Sequence, residues 1–130
     1  MPRLFIENYP PLEMLANTQT IEGKFVQFRW QGNEYLLFAT RDEHLFHNQM
    51  LGHFLSDHNL PHHWRDSDHL EFSLPDLTVM GGGRFHFSAN PAQLELWDNS
   101  MAYGRFDDSE LADRLRGSGH PFGNGEIVIR

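Results

Sequence analysis

The sequence predicts an α+β domain built on a single mixed β-sheet flanked by two main helices. Three observations carry that expectation. Lys24-Phe25-Val26-Gln27-Phe28-Arg29-Trp30 alternates at the period of a half-buried strand, with Val26, Phe28 and Trp30 on one face and Gln27 and Arg29 on the other. Met50, Leu51, Phe54 and Leu55 form one apolar stripe at helical spacing. The remaining strand-like and helix-like segments follow without strict β-α-β alternation, which argues against a doubly wound parallel sheet.

Each element has its own signal. After an opening stretch rich in Pro and Asn, Lys24 to Trp30 is the first clear strand. Gln31-Gly32-Asn33-Glu34 turns the chain, and Tyr35 to Ala39 returns as its hairpin partner. A helix follows and ends near His58, where Asn59 and Pro61 stop it. Residues His62 to Pro75 are polar and irregular, with a short strand expected at His69 to Leu74. Leu77-Thr78-Val79-Met80 runs as a strand into Gly81-Gly82-Gly83-Arg84. Phe85 to Ser88 and Gln93 to Asp98 flank Ala89-Asn90-Pro91-Ala92 as a second hairpin. Asp107 and Glu110 have capping-box spacing ahead of a second helix, whose ridge is Leu111 and Leu115 and which Gly117 closes. Glu126 to Arg130 reads as a last strand.

Length and composition bound the function. A chain of 130 residues with 39% hydrophobic content suits one domain, spanning 1–130, around one core. No apolar run approaches a membrane span, and Met1-Pro2-Arg3-Leu4-Phe5-Ile6 turns polar without a secretory core, so a cytoplasmic protein is expected, with no membrane partner. The absence of cysteine excludes disulfides, thiolate catalysis and cysteine-bound zinc. A formal charge of −8 makes nucleic acid a poor partner. Nine histidines ask for an explanation.

Three segments carry candidate chemistry. Gly81-Gly82-Gly83-Arg84 interrupts two apolar strand segments, and glycine there serves either a bulge or the close approach of a backbone or ligand. Asn99-Ser100-Met101-Ala102-Tyr103-Gly104 offers unshielded amides and a hydroxyl, which suit an anion cradle as well as a plain turn. Phe46-His47-Asn48-Gln49 precedes the apolar helical stripe. A helix starting near His47 would aim its first amides and positive dipole end at a phosphate, with an imidazole able to take a proton at neutral pH. A start at Thr40-Arg41-Asp42-Glu43, which also has capping-box spacing, would instead make His47 a surface residue.

Taken together these segments resemble the Janus/Ocnus family of small phosphohistidine phosphatases. Gly-Gly-Gly-Arg is followed, after a hairpin, by Ser-Met-Ala-Tyr-Gly, and sixteen positions separate Arg84 from Ser100. Lys24 to Trp30 is similar to the family's first core strand, and Phe46-His47-Asn48-Gln49-Met50 to its catalytic stretch. The resemblance covers roughly residues 23–115. It departs at Gln49, where the family has an acidic residue, and in the extra residues around Pro61 to Pro75. The family's arginine upstream of the histidine has only Arg41 as a counterpart. His44 competes with His47, which is preferred because Phe46 precedes it and Met50 and Leu51 then fall on the buried side.

The resemblance implies hydrolysis of the phosphorus–nitrogen bond of phosphohistidine, and in some members phospholysine, without metal or other cofactor. It implies that the amides of His47, Asn48 and Ala102 and the Ser100 hydroxyl hold the phosphoryl oxygens. It further implies that the Gly81 backbone orients the His47 imidazole, and that Lys24 and Arg84 attract the phosphate. His47 would act as base or nucleophile on phosphorylated protein substrates, in a monomer. Two other readings stay open: a phosphoresidue-binding module without turnover, and a metal-binding protein using His44, His47, His53, His58, His62, His63 and His69, with Asp57, Asp66 and Asp68 among them.

Overall fold

The computed structural model describes residues 2–15, 20–41 and 46–130. Its strands are β1 (Leu4–Tyr9), β2 (Thr20–Trp30), β3 (Asn33–Thr40), β4 (His63–Asp66), β5 (His69–Glu71), β6 (Leu77–Ala89), β7 (Ala92–Trp97) and β8 (Glu126–Ile129). The α-helices are α1 (His47–Asp57) and α2 (Leu111–Arg116). Six strands form one sheet in the order β1-β3-β2-β6-β7-β8, while β4 and β5 make a separate hairpin. β1 pairs parallel with β3 and β8 parallel with β7, and the inner pairings are antiparallel. The architecture is therefore α+β on one mixed main sheet with a helix on each face.

Both faces of the sheet are covered, which explains why Tyr35 to Ala39 is apolar without interruption. Tyr35, Leu37 and Ala39 join Val26, Phe28 and the α1 stripe Met50, Leu51, Phe54 and Leu55 in one cluster. Leu36 and Phe38 join Phe25, Phe85, Leu94, Leu96 and the α2 ridge Leu111 and Leu115 in the other. Gln27 and Glu34, expected on polar positions, are buried under α2 and bonded to each other at 2.7 Å. Arg114 of α2 completes this group by donating to Glu34 at 2.6 Å, and the Asp107 amide donates to Gln27 at 2.7 Å.

Turns follow local chemistry. Gln31 and Gly32 both have positive φ, 54° and 78°, the pattern of a two-residue hairpin turn matched to strand twist. α1 ends at His58, with Asn59 at φ 55° and the Leu60 amide closing on the Leu55 carbonyl. Three expectations are revised. The strand at Lys24 to Trp30 is not the first, because Leu4 to Tyr9 in the opening stretch is the edge strand β1. Asp107 does not cap α2: its carboxylate accepts from the Ser109 amide, Glu110 turns left-handed at φ 56°, and the helix starts at Leu111. The insertion holds the β4–β5 hairpin, whose Leu70, with Leu60, Phe72 and Leu74 beside it, packs on the α1 cluster. Among the described residues no helix is long and apolar enough to cross a membrane.

Candidate functional site

One cleft of about 610 Å³ lies at the N-terminus of α1, lined by residues from five separate stretches of the chain. β2 contributes Lys24, and β6 contributes Arg84, its direct cross-strand partner. Their side chains share the sheet face that α1 covers, because Lys24 is even-numbered with Val26 and Phe28. α1 and its cap bring Phe46, His47 and Asn48, the β4–β5 turn brings Asp68 and His69, and the loop after β7 brings Asp98 to Ala102.

His47 is the first residue of α1 and is only 6% exposed. Its ring lies on Gly82, where a Cβ would meet Cδ2 at 2.7 Å. Its Nε2 donates to the Gly83 carbonyl at 3.0 Å, which assigns the proton to Nε2 and leaves Nδ1 with its lone pair. Burial holds its pKa below the ordinary histidine value and the Lys24 ammonium adds to this, against the Gly83 and Phe25 carbonyls. The imidazole is therefore neutral at physiological pH. The side chain of Gln49 accepts from the Phe46 amide at 3.3 Å, the backward half of a capping box, a role an acidic residue at this position fills equally. The first intrahelical bond is made by the Gln49 amide, and the His47 and Asn48 amides at the helix start have no partner among the described residues. The alternative start at Thr40 to Glu43 falls in part, and His44 wholly, outside the described residues.

The Ser100 loop is held against β6 by backbone contacts. Ser100 and Gly104 exchange two hydrogen bonds of 2.9 and 2.8 Å, and the Gly82 amide donates to the Gly104 carbonyl at 3.0 Å. The Ser100 oxygen accepts from the Tyr103 amide at 3.1 Å, so its own proton remains to donate. The Met101 and Ala102 amides find no partner among the described residues. The glycine triplet thus has three separate uses. A bulge falls opposite Gln27 and Phe28, with Gln27 facing Gly81 and Phe28 facing Val79. At Gly81, whose φ is +151°, a Cβ would strike the Arg105 carbonyl, so this glycine admits the chain that carries the Ser100 loop. Gly82 admits the His47 ring, and Gly83 lies against the Trp97 carbonyl.

Lys24, His47, Asn48, Arg84, Ser100 and Ala102 therefore share one cleft. Gly81 does not line it. The imidazole is oriented by the Gly83 carbonyl, and the bulge before Gly81 changes the parity of β6 so that Gly82, opposite Val26, and not Gly81 lies on the α1 face beneath the ring. Sequence reasoning missed Asp98, whose carboxylate holds Arg84 Nε at 3.2 Å, and it read Asp68 and His69 of the insertion as candidate metal ligands and not as a wall of this cleft.

Other described histidines are engaged at separate places in the fold. His53 meets Asp57 at 3.3 Å, His58 meets Glu7 at 3.0 Å, and His120 meets Asn8 at 2.9 Å. Among the described residues no three potential metal ligands converge. No family model matches the chain, and no curated protein matches it either.

Proposed function

We propose that this protein is a metal-independent phosphohistidine phosphatase, cleaving the phosphorus–nitrogen bond of phosphohistidine, and of phospholysine where it fits, in cytoplasmic proteins. The observation that carries the reading is His47: a buried, neutral imidazole fixed by Gly83, at a helix start whose amides face a cleft with two cations. Phosphoryl transfer needs alignment of the attacking atom and neutralisation of oxygen charge more than covalent help from the protein. The His47, Asn48 and Ala102 amides and the Ser100 hydroxyl provide donors at fixed positions, and Lys24 and Arg84 provide charge. Nδ1 of His47 then acts on water as base or on phosphorus as nucleophile.

The test is phosphate release from a phosphohistidine peptide, with and without exhaustive chelation. Turnover should survive chelation and gain little from added Mg²⁺. Loss on chelation with recovery on Zn²⁺ or Ni²⁺ would transfer the function to the histidine-rich face. Binding without turnover would make the cleft a phosphoresidue-binding module.

A further inference from the structure

The β4–β5 hairpin forms a wall of the cleft and carries an imidazole of its own. The hairpin is tied to α1 at two points: Trp64 lies over Gly52, and Asn48 Nδ2 donates to the Asp68 carbonyl at 2.7 Å. At its turn the Asp66 carboxylate accepts from the Asp68 amide at 2.8 Å and faces His69 Nδ1 at 2.7 and 2.8 Å through its two oxygens. Asp66 therefore engages Nδ1 whether the ring is neutral or charged. Nε2 has no partner among the described residues, and His69 lines the same cleft as His47. A ring held in this way by a carboxylate exchanges its proton through the free nitrogen.

We propose that His69 is the general acid for the departing nitrogen group, with Asp66 positioning it. This rests on the phosphorus–nitrogen hydrolase reading. In the bond-breaking step Nδ1 of His47, or water that gives its proton to Nδ1, forms the new bond to phosphorus. The phosphorus–nitrogen bond breaks, its electron pair stays with the substrate imidazole, and that imidazole takes the proton from His69 Nε2. His69 regains a proton from water in the exposed rim, or from the water that hydrolyses a phosphorylated His47. Without a donor the substrate ring would leave as an anion, which is far less stable than neutral imidazole.

The test compares wild type, His69→Gln and Asp66→Asn on a phosphohistidine peptide and on N-phosphoryl-4-nitroimidazole, whose ring departs readily without a proton. Thermal unfolding is measured on each variant. The proposal expects His69→Gln to slow phosphohistidine hydrolysis by about 10²-fold, with an effect within about threefold on the nitroimidazole substrate. Asp66→Asn should show the same selectivity at smaller amplitude. Equal losses on both substrates, or no loss on either, would overturn it. A wild-type protein inactive on both substrates would instead remove the hydrolase reading itself. His47→Ala, which should be slow on both, tells these failures apart.

Discussion

His47 combines two conditions that oppose each other in most sites, a buried ring and an open helix start. Its folded-state pKa is lowered by burial first and by the Lys24 ammonium second. The neutral, active form therefore persists as pH falls, and the acidic limb of kcat/KM should lie below the ordinary histidine value of 6.5. Lys24→Met removes one cause of the depression, so the limb should move to higher pH while the maximum falls. A limb at or above 6.5 in wild type, indifferent to Lys24→Met, would contradict this electrostatic account. Most residues of the cleft sat in segments whose oddity was visible in one dimension: a histidine before an apolar stripe, glycines inside a strand, small residues after one. Asp98 was not legible, and His69, which stood out only as a candidate metal ligand, was not placed in the cleft. Their place depends on strand pairing between Arg84 and Trp97, and on a hairpin folding back over α1, neither of which leaves a local pattern.

Elements made of alternating or striped residues could be read directly, as β2 and α1 were. β1 was hidden because an edge strand that is half-buried and followed by Pro10 and Pro11 resembles a loop. β6 was read as strand, glycines and strand because its period of two changes parity at the bulge. Leu77 and Val79 face α1 before it, and Gly82 and Arg84 face α1 after it. That bulge makes Gly82 the floor beneath His47. Gly82→Ala would set a methyl 2.7 Å from His47 Cδ2 and 2.7 Å from the Phe25 carbonyl, and a backbone carbonyl in mid-sheet cannot yield. Turnover should fall about 10²-fold, with a stability loss of about 1–3 kcal/mol. Gly117→Ala is the control, because its Cβ would meet nothing closer than 3.6 Å. That variant should stay within about 0.5 kcal/mol of wild type at full activity. Phosphate release and thermal unfolding check both, and full activity in Gly82→Ala would remove the ring-on-glycine arrangement from the account.

At the scale of the molecule, two apolar clusters share one sheet, and the second is closed by the turn His120 to Gly123 lying against β7 and α2. His120 locks this turn as a neutral ring: Nδ1 accepts from the Phe122 amide at 3.1 Å and Nε2 meets Asn8 at 2.9 Å. Burial lowers its pKa to about 4. The unfolded chain then binds more protons than the folded one, so stability is lost as pH falls from 6.5 towards about 4 and levels off below. Allowing for partial exposure, the loss is on the order of 1–2 kcal/mol. His120→Gln should flatten that part of the unfolding-versus-pH curve, and an unchanged slope would place the acid sensitivity elsewhere. The net charge of −8 sits on this same molecule, yet Lys24, its single lysine, lies in the cleft, where an anion is to be held. Whether that cleft turns over phosphohistidine is decided most directly by phosphate release from a phosphohistidine peptide in chelator, comparing wild type with His47→Ala at matched folding. The account predicts turnover by wild type and a loss of about 10² to 10⁴-fold in the variant. Equal rates in the two proteins, or none in either, would contradict it.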